Sequence, residues 1–169
     1  MLTVALMEQA PGDVTVGREM TIKLDDRNRP EPDLRLTTAG YDGDCTRFAP
    51  HEVRLVIEVV SPTSAHRDRT VKLRKYAEAG IPHYWCVEDE SGAPVVHVYE
   101  LDESTGVYAP AGIFRGTLER PAPFEVSLDL DKLTPPRENQ ESISTKSARE
   151  TRRDQTRQGP TPSDPHDDQ

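Results

Sequence analysis

The sequence predicts an α/β (α+β) domain: one mixed central sheet flanked by helices. Three observations carry that expectation. Residues 53–61, VRLVIEVVS, are almost continuously apolar, the pattern of a strand covered on both faces. The segment 65–79 has helical periodicity and stops at Gly80. The stretches HYWCVE and PVVHVYE, joined by the turn DESGA, read as two more strands. Helix, strands, helix, strands is the order of a layered α/β or α+β domain.

The remaining elements follow in order. LTVALMEQA is helix-compatible and ends at Pro11-Gly12, a stop signal. DVTVGREMTIKL alternates Val14, Val16, then Met20, Ile22 and Leu24, which is strand periodicity with a break near Gly17. DDRNRPEP is a turn region. DLRL is a short strand with Leu34 and Leu36 on one face, and TTAGYDGDCTRFAPHE is a loop rich in Gly and Asp. Ser61-Pro62-Thr63-Ser64 ends the central strand. GVYAPAGIFRG and FEVSL are weaker strands towards the edge.

A chain of 169 residues is the size of one domain. Hydrophobic residues make up 34%, and the mean hydropathy of −0.72 points to a modest core with a polar segment outside it. That segment starts at Thr134, beyond which Ile143 is the one large apolar residue. Such a composition cannot offset its ordering entropy, so residues 1–133 are expected to fold and 134–169 to be a disordered polar tail. A transient helix around 144–157 whose arginines touch phosphate competes with a plain solvated tail.

Cys45 and Cys86 have no metal-type spacing and are too few for a disulfide framework, so a cytoplasmic setting is expected. There is neither a signal-peptide pattern nor a long apolar run, hence no expected membrane partner. The net charge of −9, with pI ≈ 5.0, argues against broad electrostatic binding to DNA while leaving room for a small basic site.

The residues that carry chemistry are Asp33, Glu58 and Lys72. Glu58 lies among Val56, Ile57, Val59 and Val60, and a carboxylate in an apolar strand is costly unless something neutralises it. Asp33 opens the preceding strand, and two carboxylates on neighbouring strands can hold Mg²⁺ beside a phosphate. On a helix turning about 100° per residue, Leu73, Tyr76, Ala77 and Gly80 face the sheet. Lys72 then falls about 40° from Tyr76, where its stem can lie along the sheet and its ammonium reach the carboxylates. Arg74 and Lys75 project towards solvent. Each residue also has a plainer role: Asp33 as a turn residue, Glu58 paired with Arg54 or Arg35, Lys72 bridged to Asp68 four residues earlier.

The ordered combination PEPD, IEVVSPTS, RDRTVKLRKYAEAG and HYWCVE resembles the Uma-type restriction endonuclease family, a branch of the PD-(D/E)xK nuclease superfamily abundant in bacteria. The resemblance covers residues 1 to about 133. It implies a restriction-endonuclease-like core and Mg²⁺- or Mn²⁺-dependent cleavage of DNA. The motif Asp falls on Asp33 and the motif acid on Glu58, both as metal ligands. The superfamily lysine position is Val60, so the resemblance carries the lysine to Lys72. His83 and Glu88 stand where the family usually has acids, and both read as structural changes. Members also carry a Y-E-L-I-D-G-like segment, a strand and most of a helix ahead of the matched part. Met1 falls inside that helix, so the resemblance implies a domain short of its N-terminal part.

The expected function is a metal-dependent DNA endonuclease. It is weighed against an inactive remnant kept as an interaction module, and against cleavage of another phosphodiester such as RNA. A homodimer is compatible with the edge strands and with the family.

Overall fold

The structure, a computed structural model, describes residues 1–38, 47–60 and 67–133, and for 67–69 the backbone alone. Residues 39–46 of the expected loop 37–52, Cys45 among them, the terminator Ser61–Ser64, the helix start at 65–66 and the polar segment 134–169 lie outside the described residues.

The elements run α1 (Leu2–Gln9), β1 (Thr15–Arg18), β2 (Thr21–Ile22), β3 (Leu34–Thr37), β4 (Arg47–Phe48), β5 (Val53–Val59), α2 (Leu73–Glu78), β6 (His83–Glu90), β7 (Ala93–Asp102), β8 (Val107–Arg115), β9 (Thr117–Arg120) and β10 (Val126–Asp129). Six strands make the central sheet in the order β1-β3-β5-β6-β7-β8. Its neighbours are antiparallel except β5 and β6, which run parallel. The sheet is therefore mixed and the fold α+β. A parallel pair needs a crossover, and the helical segment after β5 supplies it. Among the described residues, no helix is long and apolar enough to cross a membrane.

β5 is central and covered on both sides, with Leu55, Val56, Ile57 and Glu58 all buried. Leu55 and Ile57 pack with Leu34, Leu36, Trp85, Val96 and Leu6 on the α1 side. Val56 packs with Phe48, Tyr76, Ala77, Ile81 and Tyr84 on the α2 side. Each such buried side chain contributes about 1.5–3 kcal/mol relative to exposure. The second core is rich in tyrosine. The Tyr84 ring lies 5.8 Å from Tyr76, 5.8 Å from Tyr108 and 6.0 Å from Tyr99. Tyr108 donates its hydroxyl to the Ile81 carbonyl at 2.7 Å, which satisfies that buried group.

The turn between β6 and β7 is Ser91-Gly92, with φ of 57° and 86°. Two positive φ values in a two-residue loop give the hairpin twist that matches the flanking strands. The Asp89 carboxylate accepts the Gly92 N–H at 2.6 Å and pins it. At the other end, the Gln9 side chain donates to the Ser127 carbonyl at 2.9 Å and accepts the Ser127 N–H at 2.8 Å, which ties α1 to β10.

Three details differ from expectation. The break after β1 falls at Glu19, with φ of 46°, and Gly17 lies inside the strand. Gly17 faces Arg35 across the sheet, and a Cβ there would come 2.7 Å from both terminal guanidinium nitrogens. Glycine thus leaves room for the buried Arg35, whose guanidinium carbon sits 4.4 Å from the centre of the Phe48 ring. β4 and β9 were unforeseen, because two and four residues are too few to display a period. The helix after β5 begins as a π-helical stretch, Arg67–Lys72, before α2 takes over. RDRTVK has one apolar residue, Val71, so no hydrophobic phase distinguishes π from α winding there.

His83 opens β6, half-buried, facing Leu55 on one side and Glu100 on the other. Burial pushes its imidazole below the ordinary value; Glu100 opposes this, while Arg120 and Arg54 add to it. The unfolded chain therefore binds the proton more readily, and stability is lost as pH falls through the unfolded value of 6.5 towards the lower folded one. The expected outcome is a wild-type melting temperature that drops between pH 7.5 and pH 5 by more than that of His83→Gln, measured by circular dichroism. Taking the difference between the two curves cancels groups common to both, Glu58 included.

Candidate active site

The site grows from the C-terminal end of β5. Leu34 pairs with Ile57, and one further step of that antiparallel register sets Asp33 opposite Glu58. On the other side Glu58 pairs with Cys86 of β6, which pairs with His97 of β7. Asp33, Glu58, Cys86 and His97 thus form one row across four strands, on the face that α2 covers. Neighbouring strands lie about 4.8 Å apart, so Asp33 and Glu58 are close enough for their charges to interact.

Asp33 is partly exposed and accepts the Val59 N–H at 2.7 Å through Oδ2. This bond closes the end of β3 onto the end of β5. Among the described residues, no donor reaches its other oxygen. Glu58 is 2% exposed. Its Oε2 accepts from the Lys72 ammonium at 2.8 Å and its Oε1 from the Tyr76 hydroxyl at 2.8 Å. Burial pushes the Glu58 carboxyl up; Lys72 and Tyr76 pull against that, and the Asp33 charge adds to it. Burial, with the Glu58 carboxylate beside it, pushes the Tyr76 phenol far up, so the hydroxyl stays a donor.

The structure therefore brings Asp33, Glu58 and Lys72 together. Glu58 pairs with neither Arg54 nor Arg35; Arg35 instead lies over Phe48 and donates to the Arg18 carbonyl at 3.3 Å. The Asp68 side chain, the other partner considered for Lys72, lies outside the described residues. Arg74 is exposed and bridges Glu78 at 3.4 Å, as expected of a solvated position. Lys75 differs: its ammonium reaches the Asn28 side chain and ties α2 to the turn after β2. Glu88 sits beside His97, with Oε2 3.9 Å from Nε2.

Tyr76 is the residue that periodicity undervalued. Its place on the buried stripe marked it as packing. The signal was the residue type: a hydroxyl on a buried stripe needs an acceptor, and Lys72 on the adjoining line aims at the same carboxylate.

The donor set suits a hard divalent cation. Two carboxylates offer oxygens alone, and each Glu58 oxygen retains a lone pair beside its donor. Among the described residues, no group of three or more His, Cys, Asp or Glu forms a protein-only metal cage. Mg²⁺ does not need one, since it keeps waters and takes one or two carboxylates plus a phosphate.

Removing Lys72 leaves a buried carboxylate with one protein donor. Lys72→Met is expected to cost about 2–3 kcal/mol in urea unfolding, less than a fully buried pair because the lysine side chain is 21% exposed. Lys72→Met with Glu58→Gln should cost less than the sum of the two single changes.

The comparisons with known proteins identify the family. No curated protein matches the sequence. The family model Uma2, described as "Putative restriction endonuclease", matches residues 1–132. That match spans every strand and helix described above, and the chain belongs to the Uma2 family.

Proposed function

We propose that the protein is a metal-dependent endonuclease that hydrolyses DNA phosphodiester bonds. The observation that carries this reading is the meeting of Asp33, Glu58 and Lys72 at the end of the central strand. Membership of a family whose model is described as "Putative restriction endonuclease" supports DNA as the substrate class. Asp33 and Glu58 are the residues that would hold Mg²⁺ or Mn²⁺. When bound, such an ion supplies Lewis-acid polarisation of a phosphoryl oxygen and a water of lowered pKa. Asp33 is oriented for this by the Val59 N–H, and Glu58 by its two donors. Lys72 holds a positive charge beside Glu58, where it offsets negative charge growing on the phosphate oxygens and orients the attacking water. No amine stands at position 60, so the helix is the source of the lysine. An assembly of two copies is compatible with the same reading, since two such centres can cut both strands of a duplex at once.

A second reading has its own observation. The Glu58–Lys72–Tyr76 network is complete without any ion, as a purely structural buried ion pair would be. On that reading the domain is an inactive member of the family that binds a partner.

Plasmid nicking separates the two. The wild-type protein should nick supercoiled DNA with Mg²⁺ or Mn²⁺ and stop with EDTA. Asp33→Ala and Glu58→Ala should fall to background, and Lys72→Ala should lose about 10²–10³-fold, the size of a lost electrostatic contact to a transition state. Equal nicking by all four proteins would identify a contaminant and remove the reading. A cooperative melt with no nicking under either metal would favour the inactive member. Cleavage of RNA but not DNA would move the substrate.

A further inference from the structure

We infer that Arg27, Arg29 and Lys75 form a phosphate-binding track that holds a DNA strand beside the candidate centre. The inference takes its ligand from the nuclease reading above and adds the surface that grips it. It starts from positive charge that the domain leaves unused. Arg27 and Arg29 are exposed in the turn after β2, and among the described residues neither bridges a carboxylate. Elsewhere on the surface Arg18, Arg74, Arg115 and Lys132 each bridge one. The Lys75 ammonium bonds the Asn28 side-chain oxygen, a neutral partner that leaves its charge uncancelled.

The acids of the same turn are already engaged. The Asp25 carboxylate accepts the main-chain N–H groups of Arg27 and Asn28 at 2.7 and 2.8 Å. Asp26 bridges Lys23 at 2.9 Å, and Glu31 accepts the Thr21 hydroxyl at 3.1 Å. Lys75 lies within charge range of Asp25, and Arg29 of Asp26, so the patch is mixed and its pull on an anion is short-ranged. Contact is where an arginine is strongest, since its planar fork matches phosphate oxygens in pairs.

Position ties these cations to the centre. Asn28 stands between Arg27 and Arg29, and its bond to Lys75 fixes the turn against α2. Lys75 follows Lys72 by three residues, a rise of about 4.5 Å, which makes the two neighbours on the helix surface. From Arg29 the chain runs through Pro30-Glu31-Pro32 to Asp33. Four residues span at most about 14 Å, and a DNA strand carries one phosphate per about 3.4 Å of axis. Arg29 therefore stands within about four phosphates of one held at Asp33. The Asp25 bonds and the two prolines stiffen this path, so the cations are presented from a fixed element.

The test measures binding of the full chain to a fluorescein-labelled duplex by anisotropy, with EDTA present so that nothing is cut, across about 50 to 200 mM salt. Each lost phosphate contact lowers the slope of log K against log salt by about 1, whatever the duplex sequence. Arg27→Gln with Arg29→Gln should lose about 2 from the wild-type slope, and Arg27→Lys with Arg29→Lys, which keeps the charges, should recover most of it. Lys75→Gln should lose about 1; Lys75 also anchors the turn, so a circular dichroism melt accompanies it, and if it unfolds the arginine pair decides alone. Arg54, exposed at the start of β5 and away from Glu58, is the control, and Arg54→Gln should leave the slope unchanged. A slope that the arginine pair does not change, or that Arg54→Gln lowers as much, overturns the inference, as does a wild type without salt-dependent binding. Plasmid nicking by the same proteins keeps the two readings apart. Nicking with an unchanged slope removes the track and leaves the nuclease; a lowered slope in a protein that never nicks keeps the track and removes the nuclease.

Discussion

The burial of one carboxylate organises the molecule. Glu58 sits at 2% exposure in the middle of the central sheet, and an isolated ionised group there would cost several kcal/mol. The chain must bring donors to it from outside the sheet. The strand pair on which it lies is parallel, so a crossover has to pass over that face in any case. The helix that makes the crossover delivers Lys72 and Tyr76, one to each oxygen. Strand direction, helix placement and the tyrosine-rich packing beneath α2 are consistent with one another because they meet this single demand.

Much of this was readable in the sequence, and the reasons are specific. VRLVIEVVS announces a doubly covered strand because its apolar run has no alternation, and Glu58 stands out because it interrupts that run. α1, the β6–β7 hairpin and the placement of Lys72 near the buried stripe follow from periodicity and turn residues. What escaped lacked either length or phase. β4 and β9 are too short to show a period. The π-helical winding of 67–72 occurs where charged residues carry no hydrophobic phase. Tyr76 was visible as a buried residue, while the direction of its hydroxyl depends on a strand eighteen positions earlier in the chain. Tertiary register sets that contact, and no local pattern encodes it.

The overall charge of −9 gains meaning beside this centre. A chain with that balance repels a polyanion at long range, and the repulsion is screened within about 10 Å at moderate salt. Attraction of a phosphate then has to be local. On the proposed reading, Lys72 and an ion held by Asp33 and Glu58 would reverse the sign of the potential over a few ångströms at the end of β5.

The clasp between Gln9 and Ser127 has a consequence for solubility. β10 belongs to a two-stranded sheet, and such a strand exposes main-chain donors and acceptors that invite pairing with another molecule. The Gln9 amide occupies both main-chain groups of Ser127, as the backbone of a neighbouring strand would. One side chain thus plays the part of an absent strand and denies that stretch of edge to a second chain. Helix α1 is in this respect a guard against self-association as well as a cover for the core.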